Sequence, residues 1–385
     1  MNRLARLLAT GGTIAALAAS LMAGTAAAAE SRVVGHVYVN NNTAGVNTVA
    51  AFDRHANGSL TTTLGSPFAA GGAGTGLPFG SAGGLQRSSD GRFLLATDPA
   101  SNQISVLRIH RNGSLRLVDI VSSDGLTPVS IAIHGSLVYV ANTGAGGSNY
   151  TGFRLSRTGH LRPIAGSTYA LPDTALPGHV LISPDGDRLV GTRVGPSAGP
   201  SYLDAFRIGR DGRLTPAPGS PFAAQRIGPF GSAFSPTNDD QLFVSNAHDG
   251  PGAGSVSVYD VAANGSLTAI DGSPFADGQT APCWVAISPN GNVLFAINTA
   301  VPSISRYTVA SDGTLGLVGS TGFNTPNGLR PFDAAVTPGG HFLYVVDAGA
   351  AKVSAFRVNG TSLTEVAGSP VAIAGGGAPF GLVIN

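Results

Sequence analysis

Residues 263–275 read ANGSLTAIDGSPF, residues 56–68 read ANGSLTTTLGSPF, and residues 210–222 give a third version, RDGRLTPAPGSPF. A catalytic motif is usually needed once, whereas a string that returns at intervals marks a structural unit. The core of the string is Asn, Asp or Thr, then Gly, with Leu two or three positions after the glycine. It recurs at Gly58, Gly113, Gly159, Gly212, Gly265, Gly313 and Gly360, at separations of 46 to 55 residues. That period is one four-stranded propeller blade with its loops, so the pattern predicts an all-β, seven-bladed β-propeller with four-stranded antiparallel blades.

Within each unit the same strands follow in order, marked by alternating β-branched and aromatic residues. Inner strands read PGHVLISPDG (177–186), PCWVAISPNG (282–291) and PFDAAVTPGG (331–340). Second strands read LVYVAN (137–142) and LYVVD (343–347), and third strands SVSVYDV (255–261) and KVSAFRV (352–358). The Asn-Gly or Asp-Gly pair suits the tight turn into the fourth strand, because it tolerates positive φ. The GSPF piece then falls where the chain leaves for the next blade, its Phe placed to fill the gap between blades.

The ends complement each other. Beyond its first residues the chain opens on a second-type strand, HVYVNN (36–41), and it finishes on an inner strand, APFGLVIN (378–385). Pairing the two completes a blade and closes the ring, which removes the exposed edges of an open array.

Composition agrees. Fifty-five glycines and 25 prolines with 11% charged residues suit short strands and turns, not helices. Arg3 and Arg6, the apolar run from Leu7 to Gly24 and the small residues before Glu30 read as a secretory signal over residues 1–29. An uncleaved anchor is the alternative that this apolar length permits. Residues 30–385 are then one propeller domain, secreted and monomeric. A formal charge of +1 gives no reason to expect nucleic acid as a partner, and no cofactor is implied. Cys283 is the single cysteine, so no internal disulfide is available.

Aligned inner strands place Ser130, His179, Gly231, Trp284, Asp333 and Gly381 at one level, with Gly80 or Gly84 as the seventh. A propeller favours chemistry at the funnel where inner strands begin, and three of these residues are neither small nor aliphatic. His179 and Asp333 are therefore candidate catalytic groups, as base and orienting anion, with Trp284 as a stacking platform. Two positions on, Ala132, Leu181, Ala233, Ala286, Ala335 and Val383 read as structural. Among residues ending the second strands, Arg193 could fork onto a carboxylate or phosphate. The pair Asp185 and Asp187 lacks the rest of a calcium loop and reads as a surface turn.

The segments VYVAN (138–142), SPDGDRL (183–189) and LQRSSDGRFLLATDPASNQISVLRI (85–109) resemble the YVTN repeats of lactonase-like seven-bladed propellers. That group includes 6-phosphogluconolactonase-like and carboxymuconate-cyclase-like proteins. The resemblance implies a lactonase site involving Asp98, Asn102 and Gln103. The chain departs from the family pattern where a His-x-His pair is expected, reading PFGSAGG (78–84), and an Asp-Leu-Gly segment is replaced by Asp98-Pro99-Ala100. The functional expectation is hydrolysis of a lactone, with His179 standing in as base. The alternative is a non-catalytic extracellular propeller that binds a surface polymer or protein. A metal-dependent lactonase site would want a glutamate, and Glu365 falls on an outer strand.

Overall fold

A computed structural model describes residues 31–78, 80 and 82–385; the expected secretory signal lies outside the described residues. Strands form seven antiparallel sheets arranged as the blades of a ring. Blades are numbered in chain order, and the first is the composite one. Its inner strand Phe380–Ile384 pairs with Val33–Asn40, which pairs with Gly45–His55 and then Leu60–Thr62. In the closing register Val37 faces Ile384, Tyr38 faces Val383 and Val39 faces Leu382. Beyond it, His36 donates its backbone N–H to Asn385 Oδ1 at 2.6 Å.

The repeated string resolves into three physical tasks. All seven of its glycines have positive φ, from +57° to +92°. In the first copy the Gly58 N–H reaches the His55 carbonyl, and the His55 N–H reaches Ser59. This is a type I turn with glycine in the left-handed position, not a turn needing positive φ at both residues. Asn57 instead keeps ordinary φ and accepts from the Ser59 N–H at 3.0 Å, which explains the polar residue before the glycine. In the GSPF copies the serine hydroxyl accepts a third-strand N–H: Ser66 from Ala51, Ser220 from Ala205, Ser273 from Val258. Those donors lie where the short fourth strand has ended, so the serine satisfies backbone that would otherwise be orphaned. The following Phe packs into the seam between blades, as Phe68, Phe222 and Phe275 do.

Seven clusters of buried side chains, each drawn from two adjacent blades, hold the ring together. An eighth sits at the axis, where Ala82, Val194, Phe230, Ala247 and Cys283 converge with Trp284 and Phe332 against them.

Candidate active site

The inner strands that carry the candidate residues are Pro177–Ile182, Pro282–Ile287 and Pro331–Val336. Pairing confirms their common level: His179 faces Thr192 and Trp284 faces Ile297, while Asp333 lies in the irregularity between the paired Pro331 and Ala334. The seventh position is Gly84, whose carbonyl accepts from the Thr97 N–H. Two residues past it comes Gln86, the one polar side chain in a ring otherwise made of Ala, Leu and Val.

The opening expected where the inner strands begin is closed. One position before the candidate ring, Phe230, Cys283 and Phe332 enter the axial apolar plug, and the Phe230 and Phe332 rings lie 6.5 Å apart. Apolar side chains meeting on the axis exclude water there, which corrects the placement of the funnel. The accessible axial cavity instead opens where the inner strands end. It has two adjoining lobes, of about 320 Å³ and about 430 Å³, which share Gln86, Trp284, Ala334, Ala335 and Val336. Leu181, Ala233, Ala286 and Ala335, which sequence alone marks as structural, line the smaller lobe.

His179 forms part of that lobe's floor and is buried. Its Nδ1 accepts the Ser232 N–H at 3.1 Å and lies 3.0 Å from the Ser232 hydroxyl. A nitrogen that accepts from a backbone N–H carries the lone pair, so the network assigns the neutral ring's proton to Nε2. Burial pushes the imidazole pKa down to about 3, which keeps the ring neutral. The Nε2–H is buried and meets no acceptor among the described residues. It lies against Gly83, where a Cβ would fall 2.9 Å from His179 Nε2 and 3.2 Å from Gln86 Nε2. With φ of +69°, Gly83 is glycine for conformation as well as space.

Trp284 stands beside His179, ring centroids 5.0 Å apart, and is oriented by donating Nε1–H to the Ala334 carbonyl at 2.7 Å. Asp333 lies beneath the floor. Its Oδ2 accepts the N–H groups of Gly83 and Gly381, tying the last blade to the closing strand. Burial raises its carboxyl to about 7. Cys283 is buried, with its thiol pushed up to about 11, which leaves little thiolate for nucleophilic work.

The remaining sequence candidates lie elsewhere. Asp98 is buried, bonded to Asn47 at 2.8 Å and Ser105 at 2.5 Å, and burial lifts it to about 6. Asn102 turns the chain with φ of +57° and accepts the Thr127 N–H. Neither lines the axial cavity. Arg193 forks onto Asp204, with both contacts at 2.6 Å, and borders an off-axis recess of about 470 Å³ with Tyr202 and several prolines. That recess exceeds either axial lobe taken alone, but Arg193's charge is already matched by Asp204. Asp185 and Asp187 are held by Arg188, which also binds Asp240, so the pair is structural. Among the described residues there is no group of three or more His, Cys, Asp or Glu side chains able to hold a metal ion.

Fold and cavity together define a closed seven-bladed propeller with one imidazole bordering an open axial cavity. The chain belongs to the family described as "Lactonase, 7-bladed beta-propeller", whose model matches residues 35–176 and 233–379. Among solved structures, it is similar to a Bacteroides uniformis protein provisionally assigned as a 6-phosphogluconolactonase. The TM-score is 0.72 at 20% identity, over 92% of this chain and all of that one. It is also similar to the periplasmic gluconolactonase of Pseudomonas aeruginosa, with TM-score 0.70 at 18% identity, over 91% and 98% of the two chains. At such identities these likenesses speak for the fold alone. No curated protein matches the chain.

Proposed function

We propose that the protein binds a lactone in the axial cavity and hydrolyses it. The observation that carries this reading is the Nε2–H of His179: the ring borders the cavity floor, while the nitrogen itself is covered beside Gly83 and has no acceptor among the described residues. A lactone carbonyl accepts that hydrogen bond once the Gly83 segment covering the nitrogen shifts to admit it. Water adds to the carbonyl carbon, the ring C–O bond breaks, and the ring oxygen leaves as a hydroxyl after taking up a proton, giving a hydroxy acid. Negative charge grows on the carbonyl oxygen during addition, so a preorganised donor helps the transition state more than the ground state.

This reading revises the role expected for His179. Its lone pair is engaged by Ser232 and its proton sits on Nε2, the nitrogen covered beside Gly83, so it acts as a donor and not as the base. Gln86, whose amide borders the same floor, is suited to orient the attacking water. Arg193 has no part in this reading.

The test is turnover of a lactone panel by wild type and His179→Ala, with circular dichroism to verify folding. A folded variant should lose about 10²-fold in kcat/KM, the usual scale for one oxyanion donor. Equal rates would remove His179 from the account. Saturable binding without turnover by wild type would favour the binding propeller instead. The same reading takes residues 1–29 as a cleaved export signal and the propeller as a monomer. N-terminal sequencing of the extracellular protein and sedimentation test those two points.

A further inference from the structure

We infer that the axial cavity selects an uncharged lactone bearing an aliphatic side chain over a sugar lactone or its phosphate ester. The inference names the substrate class of the site proposed above and rests on that reading.

The polar inventory of the smaller lobe is short. Around it stand Leu181, Ile182, Phe234, Ile287 and Val336, with Trp284 on the floor. Of its polar side chains, Ser232 is spent on His179, leaving the Gln86 amide and, once the Gly83 segment over it shifts, the His179 Nε2–H. Those two groups match one ester: a carbonyl oxygen and its attacking water. A sugar lactone adds hydroxyls on its ring carbons, and each one buried against aliphatic wall without a partner loses roughly tenfold in affinity or more.

A phosphate fares no better. The cation bordering the second lobe is Arg87, exposed, with no carboxylate within ion-pair distance among the described residues and a long 3.5 Å contact to the Ile384 carbonyl. A single solvated guanidinium is weak recognition for a dianion, which ordinarily draws several fixed donors. Asp333 beneath the floor adds no attraction for an anion. The smaller lobe's 320 Å³ is roughly ten waters at ~30 Å³ each, room for a lactone ring and several methylenes.

Trp284 is the chain's single tryptophan and borders both lobes, so its emission reports occupancy independently of turnover. Wild type is titrated with δ-valerolactone, δ-octalactone and δ-decalactone, and with glucono-δ-lactone and its 6-phosphate. The expected result is saturable binding of the alkyl series, tightening up to about fourfold per methylene until the lobe is full. Both sugar lactones should bind at least tenfold more weakly than δ-decalactone. In Ala233→Phe the gain should stop at a shorter chain. Equal or tighter binding of either sugar lactone, or no dependence on chain length, overturns the inference. If decalactone binds as expected and is not hydrolysed, the ligand class stands and the hydrolytic reading fails. If glucono-δ-lactone is turned over with the higher kcat/KM, the hydrolytic reading stands and this inference falls.

Discussion

His179 and Asp333 are both buried at the axis, and burial moves their ionisations in opposite directions. His179 stays neutral down to about pH 3, with the proton on Nε2. Nitrogen-15 chemical shifts should therefore show one Nε2–H tautomer from pH 8 to about pH 4; a titration near the ordinary value of about 6.5 would contradict the assignment. Its effect on stability is fully present above the unfolded-state value and is lost as pH falls from there through the folded value of about 3. Asp333 works the other way. Its folded carboxyl titrates near 7 against about 3.9 unfolded, so the native state binds the proton more tightly and stability declines as pH rises between those values. Asp333→Asn removes that decline while keeping an oxygen to accept from Gly83 and Gly381. Relative to wild type, the variant should gain roughly 1.4 kcal/mol per pH unit across that interval at most. Denaturant titrations at pH 4 and pH 8 measure it, and a constant difference would show that Asp333 is not shifted.

The repeated turn and the closing strand carry the architecture at the scale of elements. Gly265 has φ of +84° and Ala217 lies 3.0 Å from where its Cβ would stand. Gly265→Ala should cost on the order of 1 kcal/mol, measurable as a lower urea midpoint with unchanged slope. Deleting residues 378–385 removes the inner strand of the first blade, exposes Val37, Tyr38 and Val39, and should lower the melting temperature by more than ten degrees, since it breaks a ladder and two seams. An unchanged transition would refute closure by that strand. These elements were legible because strand alternation, glycine turns and the period of the repeat are written locally. The purpose of the GSPF serine was not, since its partner lies about fifteen residues back on another strand.

At the scale of the whole molecule, the sequence alignment brings His179, Trp284 and Asp333 to one level, and the structure keeps them there. Which end of the axis opens depends on the neighbouring level. Phe230, Cys283 and Phe332 stand in line one residue earlier, a signal of an apolar plug that repeat-by-repeat reading could have found. Gln86 was hidden because the insertion before Gly84 left the register of its blade open between Gly80 and Gly84. Asp98, Asn102 and Arg193 look functional by residue type, yet their partners Asn47, Thr127 and Asp204 sit on neighbouring segments that only the folded chain brings close. The central claim is that lactone chemistry occurs in the axial cavity and not in the off-axis recess beside Arg193. Its most direct test is kcat/KM for one hydrolysed lactone in two folded variants. Ala335→Phe narrows the axial cavity, and Thr174→Trp fills the off-axis recess. The account predicts at least a tenfold loss in Ala335→Phe and wild-type activity in Thr174→Trp; the reverse pattern would contradict it.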